Sequence, residues 1–183
     1  MVKEAKVKNA PFEHKGDLQA LIKQNPRSRG FGFSEPFIWT YYKLDQGKQT
    51  KFKKRLKGIF GEEPIYLDSN LVEQSAQQMH DYLINKGYFR AQVDYNIRTK
   101  GEKAFILFDV DLDGPYLIKS VNYYIPDKRI NDFVHSNLDE SFLEEGDIYD
   151  SENLIDERER ITNLLNNNGY YQFGKNYIYF EVD

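Results

Sequence analysis

The chain has 183 residues, of which 40% are hydrophobic, 15% aromatic and 30% charged, with 14 Tyr, 13 Phe and a net charge of −4. That length holds one medium domain or two small ones, and the apolar fraction is ample for packed cores in which strands and interfaces use the many aromatic rings. The lack of Cys excludes disulfides, thiol nucleophiles and zinc–thiolate centres; no run approaches the ~20 apolar residues of a spanning helix, no apolar stretch at the start has the form of a secretory signal, and the acidic balance argues against a nucleic-acid partner.

In chain order, residues 5–8 read as a strand and residues 16–24 as a helix. Residues 25–61 read as an inserted segment with helical turns at 36–44 and 50–57. Within it, Gly30-Phe31-Gly32-Phe33 looks like the aromatic strand of an RNA-recognition motif, but Pro26 and Pro36 flank it and leave little room for a central strand. A loop packing two Phe rings is the better reading. The same segment holds the one basic cluster, Lys48, Lys51, Lys53, Lys54, Arg55 and Lys57 around Phe52 and Leu56. A solvated helix face docked by its two apolar residues explains it without function. A contact to lipid head groups or to an acidic partner through Lys51, Lys53, Lys54, Arg55 and Lys57 is the functional alternative.

The most informative pattern is a repeat. Residues 68–88 lie over residues 150–170 at a constant offset; each stretch opens Asp-Ser and closes on Asn-x-Gly-Tyr-aromatic, with Asn85, Gly87, Tyr88 and Phe89 against Asn167, Gly169, Tyr170 and Tyr171. In the first copy Val72, Ala76, Met79 and Leu83 recur at helical spacing, with Glu73, Gln77, His80 and Asp81 on the wet side. In the second, Leu154, Ile161, Leu164 and Leu165 make the stripe and Glu157, Arg158, Glu159 and Arg160 surround it. Ser69 and Ser151 suit the start of each helix, and Gly87 and Gly169 suit the left-handed residue that ends one.

After Gly87 the period changes to two. Phe89, Ala91, Val93, Tyr95 and Ile97 share one face of a strand, and Arg90, Gln92, Asp94, Asn96 and Arg98 the other. Thr99, Lys100, Gly101 and Glu102 form a hairpin turn, and Ala104, Ile106, Phe108, Val110 and Leu112 alternate along the returning strand, which Gly114 and Pro115 stop. Residues 116–125 read as a further strand, residues 127–137 as a short helix capped by Asp127, and residues 170–182 as a last extended piece. The expected division is therefore 1–114 and 115–183. The first part reads strand-helix-helix-strand-strand with an insertion; the second stops one strand short of that plan.

Candidate chemical sites are sparse. Asp109-Val-Asp111-Leu-Asp113-Gly114 matches the opening of a calcium-binding EF-hand loop, but the twelfth position is Ser120 rather than a bidentate Glu, and a strand rather than a helix precedes it. His14, His80 and His135 are far apart in sequence, with no second ligand at helical spacing. No phosphate-binding, dinucleotide-binding or nucleophile-elbow motif occurs, so neither a cofactor nor a catalytic residue is expected.

The element order, the Gly-Tyr-aromatic entry into the second strand and the Gly after the third resemble the POTRA (polypeptide-transport-associated) domain. Leu83, Asn85, Lys86, Gly87, Tyr88, Phe89, Ala91 and Val93 carry the resemblance in one copy, and Leu165, Asn167, Gly169, Tyr170 and Tyr171 in the other. Asp111, Gly114, Tyr116, Ile118, Val121 and Tyr123 look like the end of one such domain running into the next. The chain looks most like the periplasmic part of outer-membrane barrel-assembly proteins of the surface-antigen superfamily, in particular lipoprotein-anchored members of the translocation-and-assembly-module type.

The resemblance implies an α+β fold of tandem β-α-α-β-β units, each a small mixed sheet with two helices on one face. It implies residence in the periplasm, at the periplasmic face of the outer membrane of a Gram-negative bacterium, and a carboxy-terminal barrel beyond the given residues. It also implies that unfolded β-barrel precursors, or an assembly-module partner protein, bind by β-augmentation at the edge formed by the second strand. Tyr88, Arg90, Gln92, Asp94, Asn96 and Arg98 would meet them there. A structural adaptor that spans the periplasm and docks one fixed partner is the alternative from a different class.

Overall fold

The computed structural model describes residues 1–24 and 66–183. Their order is β1 (Val2–Lys8), α1 (Lys15–Ala20), α2 (Ser69–Asn85), β2 (Gln92–Lys100), β3 (Lys103–Asp111), α3 (Lys128–His135) and α4 (Ser151–Asn167), with 3-10 turns at Leu138–Glu140 and Lys175–Tyr177. The insertion's expected helical turns and its basic cluster lie outside the described residues. Contacts divide the chain into two compact units: Met1–Met79 with Gln92–Asp111, and His80–Ala91 with Leu112–Asp183.

The first unit is built on a three-stranded mixed sheet in the order β1-β3-β2. β2 and β3 form a hairpin across Gly101, whose φ of 60° favours a residue without Cβ, and pair from Gln92↔Asp111 to Lys100↔Lys103. β1 joins the other side of β3 in parallel, with Ala5 opposite Ile106 and Val7 opposite Phe108. Because paired residues share a face, Val2, Ala5, Val7, Ala104, Ile106, Phe108 and Val110 are all buried on one side. Leu18 of α1, Ile22, and the α2 stripe of Val72, Ala76 and Met79 complete this unit's buried set. Polar bonds fix the chain at α2: Ser75, also buried, accepts from the Lys23 amide at 3.0 Å, and the Gln24 side chain joins the Tyr66 carbonyl (2.6 Å) to the Asp68 amide (3.1 Å).

The second unit packs α3 and α4 around Val134, Ile161 and Leu165, with Tyr123, Ile125, Tyr170, Phe173 and Ile178 against them. Asp127 caps α3 as expected, accepting from the amides of Arg129 and Ile130. The long helices repeat as the sequence indicates: α2 and α4 each have 17 residues. Their caps sit one residue earlier than Ser69 and Ser151, because the carboxylates of Asp68 and Asp150 accept from the amides of Asn70 and Glu152, both at 2.9 Å.

Two expectations for the second unit fail. Residues 116–125 form no strand, only an isolated bridge between Leu117 and Ile148, and residues 170–182 hold a 3-10 turn within irregular chain. The first unit shows the reason. There β1 and β2 bond only to β3 and never to each other. With no counterpart of β3 in the second unit, an alternating segment has no ladder to join. The expected second mixed sheet is thus not formed among the described residues.

Candidate functional site

The sheet of the first unit has two edges, and they differ. Along β1, the Gln19 side chain reaches over from α1: its Oε1 accepts from the Val7 amide at 3.2 Å and its Nε2 donates to the Ala5 carbonyl at 2.8 Å. One amide side chain thereby occupies a donor and an acceptor that an incoming strand would need. Among the described residues no strand or side-chain amide covers β2 in this way.

Register identifies which backbone groups of β2 face outward. A two-residue loop makes Lys100 and Lys103 a hydrogen-bonded pair, and such pairs alternate along an antiparallel ladder. Gln92, Asp94, Asn96 and Arg98 therefore spend their amides and carbonyls on β3, while those of Val93, Tyr95, Ile97 and Thr99 point away from it. The Ala104 amide, opposite Thr99, bonds outward to the Met1 carbonyl at 2.7 Å, as the same alternation requires.

The side chains divide the other way. Gln92, Asp94, Asn96 and Arg98 are exposed on the face away from the core. Val93 and Ile97 are half-buried at the rim of the core, and Tyr95, 41% exposed, lies against Phe108 at 6.4 Å between ring centroids. Asp94 stands directly opposite Asp109, a repulsive pairing that Asn9 (2.6 Å) and Lys8 (3.9 Å) relieve from the far side.

Two of the six residues expected on this edge lie elsewhere. Tyr88 is buried, and Arg90 pairs with Asp113 at 3.5 Å; both precede β2. The cause is local. The Tyr88 amide bonds back to the Leu83 carbonyl at 2.9 Å and the Gly87 amide to that of Ile84 at 3.1 Å, the Schellman closure of a helix, and a further turn joins the Ala91 amide to Tyr88. The chain becomes extended only at Gln92.

The densest polar cluster lies in the second unit, at Glu157, which is fully buried. Its carboxylate accepts from Arg160 Nε (2.9 Å) and Nη2 (2.7 Å), the Tyr123 hydroxyl (2.9 Å) and the Phe142 amide (3.1 Å), while Arg160 Nη1 donates to the Asn137 carbonyl (2.9 Å). Burial pushes the Glu157 carboxyl up, but the bonds from Arg160, Phe142 and Tyr123 outweigh it and hold the group below the ordinary carboxylate range. Burial together with Glu157 raises the Tyr123 hydroxyl. Every strong donor in the cluster is spent on the fold, so it reads as a structural lock and not a reaction centre. Among the described residues no group of three or more His, Cys, Asp or Glu could hold a metal ion.

Residues 46–112 match the family model of POTRA, the surface antigen variable number repeat. The chain carries a POTRA domain. The POTRA match opens within the 25–61 segment, takes in α2, β2 and β3, and ends one residue past the sheet. Comparison with curated proteins found no match. Among solved structures, the crystal structure of Haemophilus influenzae BamA POTRA3-5 is similar, with 13% identity, a TM-score of 0.38, and coverage of 92% of this chain and 50% of that one. The chain thus spans about half the length of the structure it matches. No helix among the described residues is long and apolar enough to cross a membrane.

Proposed function

We propose that the chain is the periplasmic polypeptide-binding part of an outer-membrane protein assembly or translocation factor, and that an extended client adds as a fourth strand to the outer edge of β2. POTRA domains bind polypeptides in outer-membrane protein assembly, and the POTRA match supports the general reading. The single observation that carries the finer one is the difference between the edges: Gln19 occupies that of β1, whereas β2 turns the backbone groups of Val93, Tyr95, Ile97 and Thr99 outward. A client with alternating apolar residues would extend the rim at Val93, Tyr95 and Ile97, and its polar residues would lie beside Asp94, Asn96 and Arg98. Strands of outer-membrane barrels have that alternation, so unfolded barrel precursors are the clients of choice. The reading needs no cofactor and no chemistry. In it, 1–114 and 115–183 act as two POTRA-like units, an assignment supported by the repetition of α2 in α4.

The test is titration of the isotope-labelled chain with peptides copied from barrel strands, read on backbone amides. Several unrelated strand peptides should shift Val93, Tyr95, Ile97 and Thr99. Tyr95→Pro, which removes an outward amide rather than a ladder bond, should keep the fold and abolish these shifts. If β2 stays silent while other residues respond, strand addition is wrong; if one tight partner binds and strand peptides do not, the chain is an adaptor.

A further inference from the structure

The two long helices end in the same turn, but only one of those turns is covered. Gly87 and Gly169 are both left-handed, with φ of 87° and 99°. The closing bonds repeat as well: Tyr88 to Leu83 at 2.9 Å and Tyr170 to Leu165 at 3.1 Å. Within the second unit, the turn at Gly87 is enclosed by residues 116–118 and 148–152. The Tyr116 amide donates to the Gly87 carbonyl at 2.9 Å, and Phe89 lies 5.2 Å from the Tyr116 ring and 5.0 Å from that of Tyr149. Lys86 reaches Asp150 at 2.8 Å and Glu152 at 2.7 Å. A Cβ on Gly87 would stand 2.5 Å from the Tyr149 carbonyl oxygen, so only glycine permits this approach. The turn at Gly169 has the same backbone and nothing on it: no atom lies within 4 Å of a Cβ built there, and Tyr171 is 84% exposed against 38% for Phe89.

We propose that residues 168–171 are a docking surface for another unit of this repeat, joined in series beyond Tyr171. The occupant is specified by the covered turn: an aromatic extended stretch like residues 116–118 and a helix-entry loop like residues 148–150, laid over Gly169 and against the Tyr171 ring. Asn168 stands where Lys86 stands in the first copy, so the contact is aromatic and backbone in character and lacks the ion pair. The inference does not depend on strand addition at β2, since it concerns a different surface.

The test is a three-unit chain in which residues 90–183 follow Tyr171 of the natural sequence, preserving the repeat because Tyr171 is the counterpart of Phe89. Amide exchange at Tyr171 should slow by at least about tenfold relative to the natural chain, the mark of a turn newly enclosed by structure. Gly169→Ala should then lower the denaturation midpoint of the three-unit chain as much as Gly87→Ala lowers that of the natural one. An added unit that folds while Tyr171 exchanges as fast as before overturns the proposal. So does an added unit that stays unfolded, because residues 112–183 fold against the equivalent turn. Concentration-dependent protection of Tyr171 in the natural chain would make a second copy the occupant and would also overturn it.

Discussion

Replacing Glu157 by Ala should unfold the second unit's packing while leaving the first unit's signals in place. The magnitude follows from what the carboxylate satisfies. Its loss strands the Arg160 guanidinium, whose side chain is 9% exposed, and removes the acceptor of the Phe142 amide; Tyr123 keeps a contact with Ser141 at 3.2 Å. A buried charge left without its partner costs ~3–5 kcal/mol. With a urea dependence of ~2 kcal/mol per molar, the midpoint should fall by ~1.5–2.5 M, read on the methyl signals of Val134, Ile161 and Leu165 so that the second unit is followed by itself. Adding Arg160→Ala removes the stranded charge, so the double variant should be no less stable than Glu157→Ala alone. The effect also carries a pH signature. Glu157 has its carboxyl pKa lowered in the folded chain, so its contribution is complete above the ordinary glutamate value of ~4.3 and is lost as pH falls below it. A single-variant cost under ~1 kcal/mol, or a double variant that costs the sum of the singles, would refute the lock.

Two further outcomes are expected from the helix ends. Asp68→Ala and Asp150→Ala should each cost ~1 kcal/mol by equilibrium denaturation, as lost N-caps do, whereas Ser69→Ala and Ser151→Ala should change stability by less than ~0.5 kcal/mol. In the natural chain Gly169→Ala should cost only the ~1 kcal/mol of a left-handed backbone, while Gly87→Ala should cost about 2 kcal/mol more, because its Cβ meets the Tyr149 carbonyl. Equal costs at the two glycines would contradict the enclosure of the first turn.

Much of this was legible before any coordinates. The Asp-Ser openings, the apolar stripes and the Asn-x-Gly-Tyr endings locate α2 and α4, and the period of two with a turn at Gly101 locates the β2–β3 hairpin. What escaped the sequence is what depends on partners distant in the chain. Alternation marks residues 116–125 and 170–182 as strand-like, yet a ladder needs a neighbour, and in the β1-β3-β2 order both outer strands depend on the third. Glu157 reads as solvated because charged neighbours surround it. A signal did exist: it sits at the repeat position of Ser75, and both are buried acceptors of a backbone amide, from Phe142 and from Lys23. For Gln19 there was no signal, because its reach to β1 depends on how a six-residue helix lies beside the strand. That unread contact distinguishes one sheet edge from the other.

Hydrogen exchange along β2, residue by residue in the free chain and again with a bound strand peptide, tests the strand-addition account most directly. It predicts fast exchange at Val93, Tyr95, Ile97 and Thr99 and slow exchange at Gln92, Asp94, Asn96 and Arg98 in the free chain, with the first set becoming slow on binding. Protection of both sets in the free chain would mean that the edge is already occupied, and the account would fail.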